Sequence, residues 1–233
     1  MDPSLKPVKL VLLLVALACP LGALAQRSVF QALCEDNMKR AAPVVTAVTS
    51  GFTIDRSLSY RQLGTMRARL PDGAFVLGLT SVKATSEIFH ESVSVRNPIT
   101  RHECLSPKVT VNLAYQPVTI YIGREFALGT CAYQEILAHE MRHLNTYFDE
   151  LPKVERVVRA AVEKRFNTRP SYALEGQARA ALERELTNVW IPFLTRELTR
   201  VEAKQAAIDT PAEYNRLSRV CAGEVQSIIR PAR

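Results

Sequence analysis

Apolar residues recur along this chain in two different rhythms. From about 42 to 125 they come in short runs rich in β-branched residues, broken by turn signals at Thr49-Ser50-Gly51, Pro71-Asp72-Gly73, Asn97-Pro98 and Ser106-Pro107. Val109, Val111, Leu113 and Tyr115 alternate with Thr110, Asn112 and Ala114, and the alternation resumes after Pro117 with Val118, Ile120 and Ile122. This predicts two strands, or one strand interrupted at a sheet edge, because proline cannot donate to a central ladder. A short helix over Val29 to Lys39 precedes them. From Thr130 onward the spacing is helical: Leu137, Met141, Leu144, Phe148 and Leu151 form a seam that continues through Val154, Val158, Val162 and Phe166. Gly129-Thr130 supplies a break and an N-cap, so the helix starts near 130, and Pro152 either kinks it or ends it. After Asn167-Thr168-Arg169-Pro170, a second long helix is expected from about Tyr172 to Ile208, with Leu182, Leu186, Trp190, Leu194, Leu198 and Val201 on one side. Asp209-Thr210-Pro211 opens a last helix through Ile229. The expected fold class is α+β: a small antiparallel sheet, then a helical half with the second long helix antiparallel to the first.

The first 25 residues stand outside that fold. Lys6 and Lys9 precede an apolar run from Leu10 to Ala18, and Ala23-Leu24-Ala25 before Gln26 has the form of a signal-peptidase site. The run is too short, and too broken by Pro20 and Gly22, for a membrane span. A lipoprotein site at Cys19 is disfavoured by Ala16 and Pro20. Cleavage after Ala25 leaves residues 26–233 as one domain with 28 basic and 22 acidic side chains, a net +6 against +7 for the whole chain. The charges interleave along the helices, and no basic block with aromatics suggests a nucleic-acid surface. Cys34, Cys104, Cys131 and Cys221 remain, an even number suited to two disulfides in a secreted or periplasmic protein. Of three possible connectivities, Cys104–Cys131 with Cys34–Cys221 is preferred, tying the strand region to the helix start and stapling the ends.

The chemistry centres on His139-Glu140-Met141-Arg142-His143. Residues i and i+4 stack on one helix face, so both imidazoles can ligate one zinc ion, while Glu140 sits beside the open position as a general base. The plain alternative is a helix with two surface histidines and a Glu140–His143 pair.

An antiparallel sheet whose last strand leads into a His-Glu-x-x-His helix resembles the zincin metallopeptidases. The resemblance implies zinc ligation by His139 and His143, Glu140 as base, and Val118 to Ile122 as an edge strand binding substrate backbone. Residues from about 100 to 225 are similar to a family of predicted secreted zinc proteases carried as a domain of unknown function, in which a long helix likewise ends in an aspartate-containing turn, here Asp209-Thr210. The metzincin pattern is not met: Thr146 stands where glycine is required. On a continuous helix Asp149 falls about 120° off the His143 face and roughly 9 Å along the axis. In the gluzincins the third ligand comes from a later helix. Glu175, in Glu175-Gly176-Gln177-Ala178, resembles their Glu-x-x-Ala element. Glu197 is the rival, a carboxylate among Trp190, Phe193, Leu194 and Val201 that needs a cation or partner. A kink at Pro152 favours Glu197, because an antiparallel turn near 169 sets 143 opposite about 195. A helix end at Pro152 favours Glu175.

His90 and His102 read as solvated, Tyr121 and Tyr147 as packing aromatics with Tyr147 within reach of an oxyanion, and Arg142 as solvent-facing or paired. The expected function is an exported zinc metallopeptidase acting on peptide or protein. The alternatives are a non-catalytic envelope scaffold with structural or no zinc, and a zinc hydrolase of cell-wall amides.

Overall fold

The computed structural model describes residues 28–67, 75–167 and 169–229. The expected signal segment and its cleavage after Ala25, the Cys19 alternative and the Pro71-Asp72-Gly73 turn lie outside the described residues. The fold is α+β, but the sheet is mixed rather than antiparallel. Its central strand β4 (His102–Ile122) is flanked on one side by β3 (Gly78–Asn97), antiparallel to it along its length. On the other side β1 (Val44–Thr49) and β2 (Phe52–Asp55) run parallel to β4, and β5 (Ser171–Leu174) pairs antiparallel with residues 102–105.

Pro117 stands inside this central strand, contrary to the expectation of an edge. β1 pairs with residues 110–115 and β2 with 118–121 in one unbroken register, so Ser50-Gly51 falls opposite Gln116-Pro117. The register of β3 also shifts between Val82 and Ala84, next to the same point. The missing proline N–H therefore falls where neither neighbour continues its ladder. It follows that Val118 to Ile122 is interior, held between β2 and β3, and cannot offer a free edge to a substrate.

The inner face of the sheet is covered by α3 (Cys131–Phe166), a 36-residue helix that runs through Pro152. Thr130 caps it, its Oγ1 accepting from the Tyr133 N–H at 3.2 Å, after Gly129 at φ +80°. The expected helix from Tyr172 to Ile208 is instead segmented. Residues 171–174 are strand β5, Gly176 turns the chain at φ +83°, and α4 (Ala178–Glu185) continues through a π-helical turn into α5 (Ile191–Thr199). A break at Arg200-Val201 then re-aims α6 (Glu202–Ile208), which is followed by α7 (Pro211–Arg219) and α8 (Glu224–Ile229). α1 (Val29–Lys39) precedes the sheet and α2 (Tyr60–Thr65) lies between β2 and β3, each opened by a serine capping box.

The disulfides are Cys34–Cys104 and Cys131–Cys221, which corrects the preferred pairing. Cys104 opens the long strand that separates it from Cys131, and the 18 residues to Ile122 span roughly 60 Å when extended. Cys104 instead meets α1, and Cys131 meets the end of α7. Two disulfides fit an extracellular or periplasmic protein. Among the described residues no helix is long and apolar enough to cross a membrane.

Candidate metal centre

His139, Glu140 and His143 lie on the buried face of α3, at 5%, 3% and 7% exposure. Each ring nitrogen has a defined neighbour. His143 Nδ1 lies 2.6 Å from Gln205 Oε1, whose own amide nitrogen donates to the His143 carbonyl at 3.2 Å. An amide oxygen can only accept, so Nδ1 carries the proton and the Nε2 lone pair faces away from α6. His139 Nδ1 lies 3.1 Å from Glu213 Oε1 and 2.9 Å from Arg142 Nη2, an acceptor and a donor that together hold the ring from its Nδ1 side. Glu213 is locked by Arg142 and Arg216, and Arg216 also reaches Glu135 across to α3. These cations hold its carboxyl near 2, hydrogen bonding from Arg216 being the largest influence.

The two Nε2 atoms therefore converge, 3.2 Å apart, and Asp209 Oδ1 lies 3.1 Å from each. Asp209 sits at the C-terminal end of α6, where φ −83° and ψ 54° leave the helix. Its other oxygen accepts from Arg67 Nη2 at 2.5 Å, and Arg67 Nη1 donates to the Tyr214 hydroxyl at 2.6 Å. Burial opposes ionisation of Asp209, but its contacts with the two imidazoles and with Arg67 hold its carboxyl far below the usual carboxylate range. The His143 imidazole is raised: burial works against its charge, and the bonds to Asp209 and Gln205 outweigh it.

Glu140 turns the other way, toward the sheet. Its Oε2 accepts from Thr80 Oγ1 at 2.8 Å. Burial pushes its pKa up, against the pull of His139, His143 and Thr80. The close approach of β3 requires glycine at 78: a Cβ there would stand 2.8 Å from both Glu140 Oε1 and Ile136 Cγ2. A cavity of about 420 Å3 opens over these groups, bounded by Leu77, by Gly78 to Thr80 of β3, by Arg67, and by Tyr214 and Leu217 of α7.

Neither expected third ligand belongs to this cluster. Glu175 is bound to Arg101 Nε at 2.8 Å and Arg96 Nη1 at 3.4 Å beside the β3–β4 turn, because residues 171–174 became a strand on β4. Glu197 is buried, as its apolar neighbours suggested, but its partners are Arg200 at 2.7 Å and Arg196 at 3.4 Å. Asp149 is exposed on the continuing helix. Tyr147 donates to Glu202 at 3.0 Å and packs edge-on to Tyr115. Tyr121 alternates with buried Ile120 and Ile122 and so faces the opposite side of the sheet. His90 bonds to Ser92 and His102 to the Thr100 carbonyl, both on the hairpin. The residues missed from sequence are Asp209, Glu213, Gln205, Thr80 and Arg67. Only Asp209 left a trace there, as a carboxylate at a helix junction, where it read as a turn residue.

Two imidazole lone pairs and a carboxylate oxygen facing one another repel unless a proton or cation lies between them. Tetrahedral ligands at zinc–nitrogen distances of 2.0–2.1 Å stand roughly 3.3 Å apart, close to the 3.1–3.2 Å separations here. The donor set thus suits a zinc-sized divalent cation, and among the described residues it groups as His139, His143 and Asp209. No protein-family model, no curated protein and no solved structure matches this chain.

Proposed function

We propose that the protein is an exported zinc metallopeptidase whose metal is held by His139, His143 and Asp209. The observation that carries this reading is the convergence of three acceptor atoms at 3.1–3.2 Å beside a buried carboxylate that accepts from Thr80 and, among the described residues, is held by no cationic side chain of its own. Zinc bound there would supply an acidified water and an electrophile for a carbonyl oxygen. Glu140 takes the proton of the attacking water and returns it to the leaving nitrogen. Thr80 orients that carboxylate from the sheet side. Gln205 holds the Nδ1 proton of His143, so that its Nε2 stays free to ligate, and Glu213 with Arg142 orients the His139 ring from its Nδ1 side.

The substrate class follows from the strand beside Glu140. Among the described residues β3 pairs only with β4, which leaves its outer backbone edge unpaired, and Gly78 to Thr80 of this strand line the cavity. A free edge recognises an extended polypeptide through main-chain hydrogen bonds, which favours peptide over a cell-wall amide. The edge role therefore moves from Val118–Ile122 to β3. The N-terminal segment 1–25 directs export, in keeping with the two disulfides.

The test is Glu140→Gln in the zinc-loaded mature protein, assayed on an unfolded polypeptide. Activity should fall roughly 10²–10⁴-fold with zinc content unchanged. An equally active variant would overturn the base assignment.

A further inference from the structure

We infer that Tyr214 is a catalytic hydrogen-bond donor to the substrate carbonyl oxygen as that oxygen becomes an oxyanion, with Arg67 as its positioning residue. The inference rests on the peptidase reading of the site. Tyr214 lines the same cavity as His139, Glu140 and the β3 edge. Its hydroxyl accepts from Arg67 Nη1 at 2.6 Å, and the same guanidinium holds Asp209 through Nη2 at 2.5 Å. One rigid fork thus sets the phenol relative to the metal ligand, and the two cannot drift apart without breaking a charged hydrogen bond.

The half-buried phenol differs from Tyr60, Tyr115 and Tyr147 in where its hydrogen goes. Tyr147 donates to Glu202 at 3.0 Å, Tyr115 to the Leu198 carbonyl at 2.7 Å, and Tyr60 to the Ile229 carbonyl at 3.4 Å. The Tyr214 oxygen is occupied as an acceptor, and among the described residues no acceptor takes its hydrogen. A donor left over at a cavity wall, beside a general base, is placed to bind charge that appears only during reaction. Burial, together with the nearby Asp209 and Glu140 carboxylates, keeps this phenol protonated. Arg67 donating to the phenol oxygen polarises its O–H and strengthens it as a donor.

The step balances without transfer of the tyrosine proton. The water oxygen bonds to the carbonyl carbon, the π pair of the carbonyl moves onto its oxygen, and the water proton passes to Glu140. Tyr214 only donates a hydrogen bond to the new oxyanion. Tyr147 is excluded from this role by its bond to Glu202.

The experiment compares zinc-loaded wild type and Tyr214→Phe with two peptide inhibitors of matched side chains. One is a phosphonamidate that mimics the tetrahedral oxyanion; the other is a mercaptoacyl peptide that binds metal without one. The variant should lose roughly 10²-fold in kcat, with KM within about twofold and zinc content unchanged. Its phosphonamidate affinity should fall at least about tenfold while mercaptoacyl binding holds. Unchanged phosphonamidate affinity would overturn the Tyr214 assignment, and equal loss on both inhibitors would make it a packing residue. Wild-type protein binding neither inhibitor would instead bring down the peptidase reading itself.

Discussion

From Cys131 to Tyr147, α3 buries His139, Glu140 and His143 among Ile136, Leu144 and Tyr147, whereas from Leu151 to Phe166 it buries only Leu151, Val154, Val158, Val162 and Phe166. The helix is continuous, so the difference comes from what each half meets. The distal half packs in a cluster with Val109, Val111, Leu113, Leu182, Leu186 and Trp190, all of them apolar or nearly so. The proximal half meets the end of β4 and the C-terminal helices, through Ile120, Ile122, Leu217 and Val225. Those helices and their junctions also bring Gln205, Asp209 and Glu213 to the histidines, and β3 brings Thr80 to Glu140. A buried polar residue on an apolar seam is tolerable only where another element supplies its partner. One half of α3 holds the molecule together, and the other half holds a charge-bearing site that the first keeps aligned.

That division can be broken from either side. The largest stability effect is expected in the distal half: Phe166→Ala empties a fully buried ring packed 5.2 Å from Trp190 and should cost about 3–5 kcal/mol in chemical denaturation. Zinc affinity of the folded protein should be retained; its loss would show that the halves are not separable. Gly78→Ala acts at the other end. Its Cβ must displace Glu140 or Ile136, costing about 1–3 kcal/mol and at least roughly tenfold in activity, with zinc affinity unchanged. A fully active Gly78→Ala protein would mean that Glu140 does not need the Thr80 contact.

The smallest effect concerns a carboxylate that serves the scaffold alone. Glu103 accepts from the Ala178 N–H at 2.8 Å at the start of α4, and this bond holds its carboxyl below the ordinary value of 4.5, although burial works the other way. A depressed carboxylate stabilises fully above that value and loses its contribution as pH falls through the folded-state pKa. Glu103→Gln should therefore cost about 1–2 kcal/mol at pH 7, with the gap to wild type closing below pH 4.5. A gap that persists unchanged in acid would contradict the hydrogen-bond account.

The parts of this molecule legible in sequence are local ones. Thr130 as cap, the seam from Leu144 to Phe166, and the two histidines four apart each follow from spacing within a single helix, whereas Leu137 and Met141 are only half-buried beside the histidine face. The third donor was not legible, because it depends on where a chain of helices turns. Periodicity from Tyr172 to Ile208 reads as one helix, whereas pairing of residues 171–174 with β4 and the break at Arg200-Val201 redirect it. That redirection carries Glu175 to the hairpin arginines and leaves Asp209 at the site. Glu197 shows the limit of a composition argument: a carboxylate on an apolar face needed a cation, and the cation was Arg200. Pro117 misled in the same way. It argued for a sheet edge, yet a gap shared by β1 and β2 accommodates it in the central strand.

Metal binding tests the account most directly. Purified mature protein should bind one zinc ion per chain by titration, and Asp209→Ala should weaken that affinity at least about 100-fold, as His139→Ala does, while Glu175→Gln and Glu197→Gln leave it unchanged. A protein that takes up no stoichiometric zinc, or an Asp209→Ala variant that binds it as tightly as wild type, would contradict the site built from His139, His143 and Asp209.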